Sequence, residues 1–295
     1  MGSIVGAAIV SHHPGLMQDE DFRIRAGNGA DSDLIAGFDR LRAKIEAVRP
    51  DVLVLFDTHW FTTGYHLYDG GEAFAGTYIS DEMPWYLFGQ NYDYRGAPDL
   101  ARLCQVVAEE QGVMGRAIEE KTLPRHYATI NVVNRLRANE RIMTVGNCQN
   151  CNSASFLRSG EVVGEAIRRS DYRVVLLASG ALSHKFNDID WQQKNPRIYH
   201  PDNVSDPRLV ERDREAIALL EQGRHDLILE RFPTDYAKIP WEGFGGHYLQ
   251  MIGAMGGAAS QARGTALSDY ENARGTGNIH VWFDVEPALA TGEIA

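Results

Sequence analysis

Ten histidines are spread through the chain, and three of them stand where chemistry is most readily assembled. His12 directly follows the apolar run Ile4 to Val10, His59 follows Val52 to Phe56, and His184 follows the run VVLLASGALS. Ligands of open α/β sheets bind in the crevice beyond the carboxyl ends of the strands, so three such imidazoles could converge there. Two neutral imidazoles and one carboxylate would give a divalent ion a facial triad with about three positions left open, the arrangement of non-haem Fe(II) oxygenases. The residual positive charge would favour a bidentate catecholate, with a neighbouring position for O2. The same donors also suit zinc and an activated water, which keeps a hydrolase in view.

The carboxylate is harder to choose, because the chain carries 40 acidic residues. Glu242 is a candidate because it sits in the apolar, glycine-flanked stretch IPWEGFGGHYLQMIGAMGG, where an ionised side chain is costly unless a cation or metal compensates it. Trp60, Tyr127 and Trp241 flank these positions and could wall an aromatic substrate, although aromatic side chains more commonly fill cores. Arg125 and Lys185 could balance an acidic substrate group or be solvated surface charges. Cys148 and Cys151 form a lone CxxC, which without a second pair or a thioredoxin-like context reads as two partly buried residues beyond a strand.

The elements that must position these groups are legible as apolar runs of strand length at Ile4 to Val10, Val52 to Phe56, Ile142 to Val145, Val174 to Ala178 and Ile279 to Phe283. They are continuous rather than alternating, which predicts strands covered on both faces. Helical stretches are expected at Ser32 to Val48, Pro98 to Gln111, Gly160 to Arg169, Pro207 to Gln222 and Gly243 to Met255. In the first, Leu34, Ile35, Phe38, Leu41, Ile45 and Val48 repeat near the 3.6-residue period. The alternation predicts an α/β sandwich around one sheet, in a single domain spanning residues 1–295. Two long regions, Phe61 to Ala97 and His184 to Ser205, read as irregular covers.

SHHPG after the first strand, FDTHW after the second, LASGALSH after a later one, and WEGFGGHYLQMIGAMG together resemble the class III, LigB-type extradiol ring-cleavage dioxygenases. The resemblance runs from residue 3 to about 284, includes the closing GTGNIHVWFDV, and implies an α/β fold with a central mixed sheet flanked by helices on both faces. It implies that His12, His59 and Glu242 ligate Fe(II), His12 rather than His13 because the family ligand stands two residues before the proline, here Pro14. His13 is then a pocket or surface residue. The resemblance further implies that His184 is the acid/base that accepts and returns a substrate proton. One segment departs from many relatives: LPRHYATINVVNRL places Tyr127 where they carry a histidine, with His126 one place earlier, and either of the two is a candidate for that catalytic position. A tyrosine there resembles the homoprotocatechuate and aminophenol branches. The implied reaction is O2-dependent cleavage of a catechol-type ring to a muconic semialdehyde, with 3,4-dihydroxyphenylacetate as lead substrate and 2-aminophenol as alternative. The superfamily also holds non-catalytic Memo-like proteins, against which a retained glutamate ligand and acid/base histidine weigh.

Bulk properties bound these readings. At 295 residues, 44% hydrophobic and 23% charged, the chain can bury a full core. A formal net charge of −11 with no basic cluster argues against nucleic acid and anionic membrane surfaces. The apolar runs are too short to span a membrane, and three cysteines are too few for a disulfide framework, so a cytoplasmic location is expected. The expected partners are a small aromatic substrate and O2, with a homo-oligomer or a second subunit possible.

Overall fold

A computed structural model describes residues 1–235 and 241–285. The strands are β1 (Ser3–Val10), β2 (Val52–Thr62), β3 (His66–Asp69), β4 (Ala73–Tyr78), β5 (Gln90–Arg95), β6 (Gly115–Ile118), β7 (Arg141–Cys148), β8 (Arg173–Ser179), β9 (Gly264–Ala266), β10 (Glu271–Ala273), β11 (Thr276–Asn278) and β12 (Val281–Phe283). The α-helices are α1 (Glu20–Ala26), α2 (Asp33–Val48), α3 (Pro98–Glu110), α4 (Tyr127–Leu136), α5 (Ser153–Arg169), α6 (Pro207–Gln222), α7 (His225–Arg231) and α8 (Gly246–Ala254).

Eight strands form one mixed sheet in the order β6-β3-β7-β2-β8-β1-β12-β9. The centre is parallel, with β8 registered between β1 and β2, while β12 runs antiparallel to β1. Successive residues of the central strands serve opposite faces, as the pleat requires. Ile9, Val54, Phe56, Leu176 and Ala178 pack with α3, α5 and α8 on one side. Val10, Leu53, Leu55, Val175 and Leu177 pack with α2 and α4 on the other. This two-sided burial is why the apolar runs are continuous, as expected for a sheet covered on both faces.

Local signals set the helix ends. Ser32 caps α2 by accepting from the Leu34 amide at 3.2 Å, and Asn152 caps α5 by accepting from the Ser155 amide at 2.9 Å. Gly223, at φ 70°, ends α6 in the left-handed conformation that favours glycine.

Several boundaries differ from the sequence expectation. The region Phe61 to Ala97 is not wholly irregular; it holds β3 and the hairpin β4–β5, whose polar, aromatic-rich residues gave no run of apolar periodicity. Helix α5 begins seven residues before Gly160, and α8 begins at Gly246 because Gly243 and Phe244 adopt non-helical backbone angles. Ile279 to Phe283 contributes only the three-residue β12. His184 to Ser205 is irregular as expected, apart from a short turn of helix at Pro201–Asn203. The last ten residues assigned to the domain from sequence, and Pro240 beside Trp241, lie outside the described residues.

Candidate active site

Because β1, β8 and β2 are neighbours in the sheet, the segments at their carboxyl ends meet in one place. His12 lies two residues beyond β1, and its Nδ1 is 2.9 Å from the Ser179 hydroxyl at the end of β8. That hydroxyl donates to the Ala128 carbonyl at 3.0 Å, so toward His12 it accepts. The imidazole is thereby held with a proton on Nδ1, and its Nε2 lies 3.0 Å from Glu242 Oε1.

His59 does not follow a strand, as expected, but lies within β2. The pairing of β2 with β7 slips between Phe56 and Phe61, an irregularity that re-aims side chains. Asp57 stabilises it, with Oδ1 accepting from the amides of His59 at 2.7 Å and Trp60 at 3.0 Å. His59 Nε2 comes within 2.9 Å of Glu242 Oε1.

Glu242 opens a tight turn in which Gly243, Phe244 and Gly245 all have positive φ, at 55°, 61° and 72°. A Cβ on Gly243 would stand 2.2 Å from Asn147 Nδ2, which donates to the Gly243 carbonyl at 3.0 Å. The EGFGG sequence is therefore a backbone requirement of the carboxylate's position. Glu242 is buried; Oε1 also accepts from Thr58 Oγ1 at 3.0 Å and Oε2 from the Ala181 amide at 2.6 Å. Burial opposes its charge, yet the neighbouring His12 and His184 and hydrogen bonds from His12 and His59 hold its pKa well below the ordinary carboxylate value.

The donor atoms of His12, His59 and Glu242 all lie within 4.8 Å of one another. Separations of 2.9 and 3.0 Å between nitrogen and oxygen match two ligands about 2.1 Å from a common ion at right angles. Among the described residues no lysine or arginine pairs with this buried carboxylate. A divalent cation fits both the geometry and the missing charge.

His184 faces the same point, its Nε2 3.8 Å from Glu242 Oε1. Burial pushes its pKa below the ordinary value, which leaves a neutral imidazole able to accept a proton. The preceding turn is held from beneath by Asp213 of α6, which sequence reasoning missed. Asp213 accepts from the Ser183 amide at 3.0 Å, the Ser183 hydroxyl at 2.6 Å and the Tyr270 hydroxyl at 2.7 Å. Burial raises its pKa to about 6. Nothing in the polar helix sequence VERDREA distinguishes Asp213 from its solvated neighbours.

Tyr127, the first residue of α4, places its hydroxyl 2.7 Å from His59 Nε2. Burial and then the charge of Glu242 push its phenol well above the ordinary value, so it stays protonated. His12, His13, Tyr127, His184 and Glu242 all line one cavity of about 650 Å³, closed by Tyr86, Phe186 and Tyr199 among others.

Several candidate residues stand away from this cavity. His126 caps α4 and lines a separate small pocket with Asp57, Pro124 and Arg125, so Tyr127 is the residue that faces the centre. Trp60 lines that same small pocket, because adjacent strand residues point to opposite sides. Trp241 is buried against Phe232 and Tyr248 and does not line the cavity. Arg125 is spent on buried Asp69 and lies over the Phe74 ring, while Lys185 lines a charged surface groove with Asp206 and Arg208. The CxxC residues are free thiols, with Cys151 Sγ 3.6 Å from His66 Nε2.

A family model described as the catalytic LigB subunit of aromatic ring-opening dioxygenase matches residues 6–284. The chain belongs to the LigB family. Among curated relatives, 3,4-dihydroxyphenylacetate 2,3-dioxygenase of Escherichia coli is 28% identical over 73% of this chain and 79% of its own length. The 2-aminophenol 1,6-dioxygenase beta subunit of a Pseudomonas species is 27% identical over 98% of this chain and 97% of that one. Its alpha subunit is 22% identical over 82% of this LigB chain. In fold, an uncharacterised protein of Escherichia coli K12 superimposes with a TM-score of 0.59 at 14% identity, covering 94% of this chain and 99% of that one. Among the described residues no helix of this LigB protein is long and apolar enough to cross a membrane.

Proposed function

We propose that this LigB protein is an Fe(II)-dependent extradiol dioxygenase that opens a catechol-type ring with O2, giving a muconic semialdehyde. The observation that carries the reading is the meeting of His12, His59 and Glu242 within 4.8 Å, with His12 and Glu242 on the wall of a cavity that His184 and Tyr127 also line. His12, His59 and Glu242 would hold the iron, which when bound supplies positive charge for two ring oxygens and a path for electrons between ring and O2. His184, neutral through burial, takes the proton from a ring hydroxyl as the substrate seats and returns it later. Tyr127, held protonated beside His59, donates a hydrogen bond toward the reacting oxygens. His13 and the apolar walls orient the ring and exclude water.

The lead substrate is 3,4-dihydroxyphenylacetate or a similarly substituted catechol. A 2-aminophenol ring is the second reading, favoured by the beta-subunit relative's coverage of almost the whole chain. We assign the chain to one domain, active in the cytoplasm with its three thiols free, as a homo-oligomer or beside a second subunit. The test is oxygen uptake by anaerobically iron-loaded protein supplied with each substrate, alongside appearance of the yellow ring-opened product. Stoichiometric O2 consumption with a catechol supports the reading; zinc-loaded activity without O2 consumption overturns it in favour of hydrolysis.

A further inference from the structure

One wall of the cavity is the hairpin β10–β11, joined to the end of β1 where the Ser11 hydroxyl donates to Asn278 Oδ1 at 2.7 Å. It contributes Ala273, Arg274, Thr276 and Asn278 to the cavity, and among the described residues Arg274 is the only lysine or arginine that lines it. Ala273 pairs with Thr276, so Arg274 and Gly275 form a two-residue loop, with φ of 50° and 97°. Positive φ at both loop positions is the signature of a type I′ turn, which favours Asn, Asp or Gly at the first position. An arginine there is disfavoured by its backbone and has to be accounted for by its side chain.

The loop is fixed to the reaction centre. The Asn187 amide donates to the Arg274 carbonyl at 3.2 Å, and Thr276, two residues on, pairs with His184. A Cβ on Gly275 would lie 2.0 Å from the Lys185 carbonyl, so the loop packs directly on the segment that follows His184. Among the described residues the Arg274 guanidinium has no ion-pair partner, whereas most other arginines of the chain do. His13 and Tyr86 line the same cavity as Arg274.

We infer that Arg274 is the anion anchor of the cavity, holding a carboxylate or similar anionic group on the side chain of the ring substrate while the ring itself sits at His12, His59 and Glu242. The inference rests on the ring-cleavage reading above for the identity of the ring. It assigns specificity to the hairpin tip, and it takes the place of Arg125 and Lys185, neither of which reaches the cavity.

Arg274→Asn tests this with little risk to folding, because asparagine is tolerated at positive φ. Two quantities are compared for 3,4-dihydroxyphenylacetate and 4-methylcatechol: kcat/KM in air and the dissociation constant measured anaerobically by calorimetry. The expected result is a tenfold or greater fall in the ratio of acid to neutral substrate in both measures, largely recovered in Arg274→Lys. Arg274→Glu should turn the preference toward a catechol bearing an ammonium side chain. An unchanged ratio, or equal loss for both compounds, overturns the anchor. If no catechol is cleaved but anaerobic binding of the acid still weakens tenfold in Arg274→Asn, the anchor stands and ring cleavage falls.

Discussion

Asp213→Asn separates a charge from its hydrogen-bond geometry beneath the His184 turn. Asp213 is 1% exposed, and its neighbours are two hydroxyls and an amide rather than a cation. Its pKa rises from the ordinary 3.8 to about 6 on burial. Folding therefore favours the protonated form, so the wild type gains stability as the pH falls through about 6, and the gain is complete below the unfolded value near 4. A displacement of this size corresponds to about 3 kcal/mol of ionisation cost above pH 7, of which roughly half is relieved by pH 5. Asparagine keeps the shape and carries no charge at any of these pH values. For a chain of this length, the melting temperature of Asp213→Asn minus that of the wild type should fall by roughly 2–3 °C between pH 7.5 and pH 5. Thermal denaturation of chelator-treated wild type and variant at four pH values measures this, with all other titrations cancelling in the difference. A difference independent of pH would refute the assignment of a buried, unpaired carboxyl at Asp213.

Other substitutions address the remaining parts of the centre. Tyr127→Phe removes the hydroxyl 2.7 Å from His59 and should lower kcat by tenfold or more at unchanged iron content, read by oxygen uptake and metal analysis. Gly243→Ala pushes a methyl to 2.2 Å from Asn147 at a positive φ, so it should cost at least about 2 kcal/mol in stability and weaken metal binding through displacement of Glu242. His126→Ala, altering a side chain in the separate small pocket, should leave kcat within about threefold of the wild type; a hundredfold loss would return His126 to the reaction.

Much of this architecture was legible because it rests on strong local signals. The central strands carry continuous apolar runs, and His12 and His184 lie in the segments that follow β1 and β8. Position after a strand drew attention to His12 and His184, but the roles of these histidines, like the choice of Glu242 from 40 acidic residues, needed the family motifs. The glycine-rich turn behind it is a signal that could have been used directly, since three successive positive φ values leave few other residues possible. What stayed hidden depends on tertiary direction. Trp60 and His126 are sequence neighbours of His59 and Tyr127, yet one residue along a strand or at a helix start turns a side chain into another pocket. Asp213 and Arg274 are ordinary charged residues in sequence; only the packing of α6 under the Ser183 turn and of the β10–β11 tip against Asn187 gives them a place at the site.

The central claim is that three side chains from distant parts of the chain bind one ion. Anaerobic titration of chelator-treated protein with Fe(II), followed by calorimetry, measures it directly. One ion per chain is predicted for the wild type, with affinity reduced at least a hundredfold in His12→Ala, His59→Ala and Glu242→Ala and by less than tenfold in His184→Ala. Wild-type affinity in His59→Ala, or no stoichiometric binding in the wild type, would contradict it.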